Sequence, residues 1–132
     1  MRSPIPKRPA FLTTKGYLIA LGIAITGCTA VLSDSRADQL HNQQLAAHLT
    51  ASGASMYGAY WCPHCADQKE LFGDAAAVIP YVECDPEGEN AQPQLCQTKN
   101  LVGYPTWEIN GEFYPGVRSL NELAELSNFP GQ

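Results

Sequence analysis

Cys62 and Cys65 stand three residues apart in the run Tyr60-Trp61-Cys62-Pro63-His64-Cys65. A C-x-x-C pair that follows an apolar run and opens a helix holds its two thiols one turn apart, close enough to form and break a disulfide. The same spacing is also half of a zinc site, so the neighbours decide. Pro63 suits a first helical position, because the N–H it lacks would have no partner there anyway. The free amides and the dipole of a helix start stabilise an anion on Cys62, making it the attacking thiolate. His64 adds a donor or a positive charge near that sulfur, which stabilises the reduced state and makes the disulfide a stronger oxidant. Cys65, one turn further in, is then the resolving thiol. This chemistry needs no cofactor beyond the Cys62–Cys65 disulfide itself.

Three more cysteines remain, Cys28, Cys84 and Cys96. Cys84 and Cys96 lie twelve apart across an acidic loop, Asp85 to Asn90. In an exported protein they form a disulfide, and closing such a loop stabilises a fold by ~3 kcal/mol in the chain-entropy model. Two readings of it stay open: a structural staple, or a second redox pair relaying electrons to or from Cys62–Cys65. Four cysteines also admit a structural zinc module, but the C-x11-C half departs from a close zinc knuckle. The acidic loop lacks the spacing and closing glutamate of a calcium-binding EF-hand and reads as a solvated loop. His41 and His48, seven apart, share a helix face without a third ligand and read as packing histidines, so no metal is assigned.

Cys28 belongs to the leader. Arg2, Lys7, Arg8 and Lys15 precede an apolar run from Tyr17 to Ile25, the order of an export signal. Extended to Leu32 the run is 16 residues, ~24 Å as a helix against a hydrocarbon core of ~30 Å. Three readings fit: an uncleaved membrane anchor, cleavage near Ala37, or acylation at Cys28, since Ile25-Thr26-Gly27-Cys28 resembles the lipobox of bacterial lipoproteins. All three export the rest of the chain, with the basic N-terminus kept in the cytoplasm. From Thr29 onward four basic residues face thirteen acidic ones, a net of −9. Such a surface repels phosphate backbones and excludes a nucleic-acid role.

Beyond the leader, about a hundred residues suffice for one small domain. The expected division is a signal or anchor over 1–33, a helix and linker over 34–53, and the domain proper over 54–132. Ser33-Asp34-Ser35 should cap a helix from Arg36 to Ala51. An apolar strand over 54–60 leads into the Cys62 helix, which runs to Phe72 with Leu71 and Phe72 toward the core. A second strand covers Val78 to Cys84, and a short helix Ala91 to Asn100. Then come Tyr104-Pro105, a candidate cis peptide, and a hairpin marked by Asn110-Gly111. A last helix, Leu120 to Ser127, is capped by Ser119.

This α/β order, over about residues 54 to 128, resembles the thioredoxin fold: a central mixed sheet of about four strands flanked by helices. The resemblance implies that Tyr104, Pro105 and Thr106 lie beside the cysteines and, with Trp61, bind the substrate chain. Cys-Pro-His-Cys is similar to the motif of periplasmic disulfide-forming oxidases, although no large helical insertion is present. A closer resemblance is to the thioredoxin-like domain fused to vitamin K epoxide reductase homologues in cyanobacteria and plant plastids. It is carried by Tyr57 to Cys65, Gln68 to Phe72, Tyr81 to Asp85, Asn90 to Pro93, Cys96, Gly103 to Trp107, Ile109 to Gly111 and Ser119-Leu120. In that family the membrane domain oxidises the thioredoxin-like one at the expense of quinone; here a single leader or anchor stands in its place. One departure concerns protons. Thioredoxins commonly carry a buried carboxylate six residues before the first cysteine, and here that residue is Met56, leaving water or another group such as Glu83 to deprotonate Cys65.

The expectation is therefore an exported, membrane-tethered thiol–disulfide oxidoreductase in the periplasm or thylakoid lumen, acting as an oxidant. Its partners are protein thiols and a membrane oxidase of the vitamin K epoxide reductase type. A reductase or isomerase of the same fold, a structural zinc module and a non-catalytic docking module are the alternatives.

Overall fold

The computed structural model describes residues 29–131. Residues 1–28, and with them every reading of Cys28, lie outside the described residues, while residues 29–33 of the expected leader belong to α1. Among the described residues nine segments succeed one another: α1 Thr29–Ala51, β1 Ser55–Gly58, α2 Pro63–Phe72, a 3₁₀ segment Gly73–Val78, β2 Tyr81–Glu83, α3 Pro93–Thr98, β3 Thr106–Ile109, β4 Glu112–Pro115 and α4 Leu120–Leu126. The strands form one mixed sheet in the order β2-β1-β3-β4, with β1 and β2 parallel and the other two pairings antiparallel. A parallel pair needs a crossover, and α2 with the 3₁₀ segment supplies it.

β1 sits at the centre of the sheet and is buried on both faces, which is why it reads as a continuous apolar run. Met56 points into the main core with Trp107, Phe72, Leu45, Leu49, Ile109 and Leu123, all essentially inaccessible. Tyr57, on the opposite face, packs with Val82, Cys84 and Cys96. Each large apolar side chain so buried contributes roughly 1.5–3 kcal/mol. β3 and β4 turn at Asn110 and Gly111, whose φ values of 54° and 82° are the pair that a type I′ turn demands. Ser119 caps α4 in a reciprocal box with Glu122.

Several element boundaries move from those expected. The described part of α1 starts at Thr29, so Ser33, Asp34 and Ser35 lie inside the helix and not at its start. No Gly or Pro interrupts residues 29–51, and an exposed Ser or Asp inside a helix costs only a few tenths of a kcal/mol. Residues 34–40 of α1 are solvent-exposed; its later half buries Leu45, Ala46 and Leu49 in the main core. His41 and His48 flank Phe129, and the His48 ring also meets the Ser127 carbonyl at 2.9 Å. Leu71 faces water while Phe72 is buried. Cys65, Gln68 and Phe72 set the inward stripe of α2 at helical spacing, and Leu71 falls a quarter-turn off it. Val78 belongs to the 3₁₀ segment and is itself exposed, so the second strand is only Tyr81–Glu83. Among the described residues no helix is long and apolar enough to cross a membrane.

Candidate active site

The chain leaves β1 at Gly58 and enters α2 at Pro63, so the helix start rises directly from the carboxyl end of the central strand. Cys62 is the N-cap residue, extended at φ −77° and ψ 116°, and its sulfur accepts a hydrogen bond from the Cys65 amide at 3.4 Å. The side chain thus takes the place that an N-cap oxygen usually fills. Both cysteines are free thiols in this structure. The Cys62 thiol donates to the Tyr104 carbonyl at 3.7 Å. Cys65 is 2% exposed; its burial, and after that its hydrogen bond with Cys62, push its thiol up from 9.0 to about 12.

The Tyr104–Pro105 peptide is cis, and Pro105 is fully buried. Its carbonyl accepts from the Gly116 amide at 2.8 Å, which ties the loop to the end of β4. The structure brings Tyr104 to Cys62 through the backbone carbonyl. Thr106 is buried at the start of β3, and its hydroxyl holds the preceding turn by donating to the Gly103 carbonyl at 2.7 Å.

Trp61 and Tyr60 stand more than half exposed beside the thiols. The Trp61 indole N–H donates to Asp85 Oδ2 at 2.7 Å, holding that carboxyl below its usual range. Asp85 follows Cys84, so this bond fastens the redox loop to the arm that carries the other cysteine pair. Cys84 and Cys96 are joined as a disulfide. A groove of about 370 Å³ runs between that disulfide, Pro86, Pro93 and Tyr104. The His64 ring is 70% exposed, and its Nδ1 lies 3.2 Å from Asp67 Oδ2, one turn along the helix surface.

Three residues that sequence reasoning underrated complete the setting. Gln68, fully buried, accepts from the Arg118 amide at 2.7 Å and the Trp107 indole at 3.2 Å, and donates to the Arg118 carbonyl at 3.0 Å. It locks α2 to the loop before α4. Gly58 gives the Cys65 sulfur its room: a Cβ there would lie 2.7 Å from Sγ. Tyr81, from β2, fills the other side of the same gap, 3.3 Å from that point through its hydroxyl. The signal for Tyr81 and Glu83 was their alternation on a strand, which points both to one face.

Comparison with known proteins agrees with this geometry. No family model matches the chain. It is 46% identical over 89 residues, 64% of its length, to the thiol-disulfide oxidoreductase LTO1 of Arabidopsis thaliana, and the match spans only 24% of that relative. The described residues therefore form a thioredoxin-like domain, similar to one part of a plant thiol-disulfide oxidoreductase.

Proposed function

We propose that the chain is a thiol–disulfide oxidoreductase cycling through Cys62 and Cys65. The observation that carries this reading is the Cys62 sulfur at the N-cap of α2, receiving the Cys65 amide and facing the Tyr104 carbonyl, with the Cys65 thiol buried behind it. In the oxidising direction a substrate thiolate attacks the Cys62 sulfur of the disulfide, and Cys65 departs as the thiolate and takes up a proton. A second substrate thiolate attacks the mixed disulfide, and Cys62 leaves; the substrate gains a disulfide and the pair holds two electrons more. The exposed lip of Trp61 and Tyr60, with the groove beside Tyr104, offers the substrate segment its track.

The oxidising direction rests on the Cys-Pro-His-Cys motif and on the family resemblance. In the same reading a membrane oxidase of the vitamin K epoxide reductase type re-oxidises the pair, and the leader tethers or exports the domain to a periplasm or thylakoid lumen. Cys84–Cys96 acts as a staple: the bond closes the acidic loop, and both residues are buried with Tyr57 and Val82. That bond also occupies two of the four thiolates a zinc module would need. Replacing Cys62 by Ser is expected to abolish oxidation of a reduced, unfolded protein substrate. Undiminished turnover by Cys62→Ser would defeat the reading. Intact-mass measurement of membrane-fraction protein tests the leader, with an unprocessed N-terminus expected for an anchor.

A further inference from the structure

Met56 leaves the usual carboxylate position under the thiols apolar and fully buried. Besides the Ala59 backbone, which hydrogen-bonds to Cys65, polar side chains reach this region from β2. In the parallel register Met56 pairs with Tyr81 and Gly58 with Glu83, so Tyr81 and Glu83 line the sheet face on which Cys65 rests. Gly58 lacks the atom that would separate them: its missing Cβ leaves the Cys65 sulfur and the Tyr81 hydroxyl around one point, 2.7 and 3.3 Å away. The Tyr81 hydroxyl donates to Glu83 Oε2 at 2.8 Å. Glu83 is 5% exposed, and its other oxygen accepts from the Asp85 amide at 2.9 Å. Gly88 packs so closely that a Cβ there would meet the Glu83 side chain at 2.4 Å. A carboxylate is costly to bury without a task or a partner, and this one is aimed through a phenol at the resolving thiol.

We propose that Tyr81 and Glu83 form the proton path of Cys65, in place of the carboxylate that Met56 displaces. The proposal rests on the thiol–disulfide reading above. When Cys65 resolves a mixed disulfide, its S–H proton passes to the Tyr81 oxygen as the Tyr81 O–H proton passes to Glu83 Oε2. The Cys65 thiolate then attacks the Cys62 sulfur, the Cys62–Cys65 bond forms, and the substrate sulfur leaves with the electron pair. In the oxidising direction the same path runs backwards, and protonated Glu83 returns the proton to Cys65 through Tyr81.

The charged and titratable groups around Cys65 are few. Cys62 faces it from the N-cap, Lys69 from α2 and Tyr81 from β2, while Tyr104 reaches its field from the loop before β3. Lys69 sits over the Tyr81 ring at 3.5 Å and favours the Cys65 thiolate. Burial, and then Glu83, hold the Tyr81 hydroxyl strongly protonated. Tyr81 therefore relays a proton and does not store a charge.

The test follows one turnover of the reduced protein with an aromatic disulfide that releases a coloured thiol. The first release reports attack by Cys62, and the second reports resolution by Cys65. Stopped-flow traces from pH 6 to 10 are compared for the wild type, Tyr81→Phe and Glu83→Gln, with Glu112→Gln on the distant hairpin as a charge-loss control. We expect the second release to slow at least about tenfold near pH 7 in both site variants. The deficit should shrink as rising pH lets hydroxide deprotonate Cys65, while the first release stays near wild type. Second-release profiles that superimpose on wild type overturn the proposal while leaving the oxidoreductase reading intact. A wild-type protein that gives no second release overturns both. Should Glu83→Gln fail to fold, Tyr81→Phe keeps the ring under Lys69 and decides the matter alone.

Discussion

Cys65 is held as a thiol by its surroundings, and that has a measurable consequence. Its folded-state value, about 12, lies above the 9.0 of a free thiol, chiefly through burial. A group raised in this way contributes stability that is complete below the unfolded value and is lost as pH climbs toward the folded one. Reduced protein should accordingly lose urea resistance between about pH 9 and 12, and Cys65→Ala should lose less over the same interval; equal losses would contradict the assignment. Gly58 makes a second residue-scale prediction. Gly58→Ala brings a methyl to 2.7 Å from the Cys65 sulfur, so it should slow resolution of the mixed disulfide, read as the second thiol release, at least about tenfold by displacing Cys65 or Tyr81. At this scale the cysteines were legible from their spacing together with the apolar run before them, Pro63 and the later Tyr104-Pro105. The Asp67 partner of His64 was not, because that pair meets only across a formed helical turn.

The elements position the site through a few buried polar ties. Gln68 joins α2, β3 and the loop before α4. Gln68→Leu leaves the Trp107 and Arg118 donors without acceptors, each at about 1–3 kcal/mol; chemical denaturation should show a loss of about 2–4 kcal/mol. Ser119→Ala removes one half of the α4 capping box and should cost about 1 kcal/mol by the same measurement. Most of the element order could be read from the chain: Asn110-Gly111 announced the hairpin and Pro63 the start of a helix, while the helix expected over Ala91 to Asn100 is shorter, Pro93–Thr98. The exceptions have physical causes. A run such as Val78-Ile79 is apolar enough for a strand, yet Pro80 leaves only Tyr81–Glu83 to pair with β1. The inward stripe of α2 includes a glutamine, so a hydrophobic count assigned Leu71 to the core in its stead.

At the scale of the molecule, an acidic thioredoxin-like domain presents one reduced pair at a helix start and one oxidised pair beneath the adjoining arm. Opening Cys84–Cys96 by replacing both with Ala should cost about 3 kcal/mol and loosen the groove wall, leaving Cys62 attack in place. If that pair were a relay, the double variant would instead lose exchange with an oxidising partner while keeping its stability. The charge balance was visible in the sequence. Of the proposed proton path the sequence offered Glu83 as a base for Cys65 but not Tyr81, whose place shows only once β2 is paired with β1. The most direct test of the central claim is the reduction potential of the Cys62–Cys65 pair, read by trapping free thiols after equilibration in graded glutathione buffers. The account predicts a reversible two-electron midpoint nearer the strong oxidants at about −120 mV than thioredoxin at about −270 mV, with Cys84–Cys96 oxidised throughout. A midpoint at or below the thioredoxin value, or a pair that never exchanges, would contradict it.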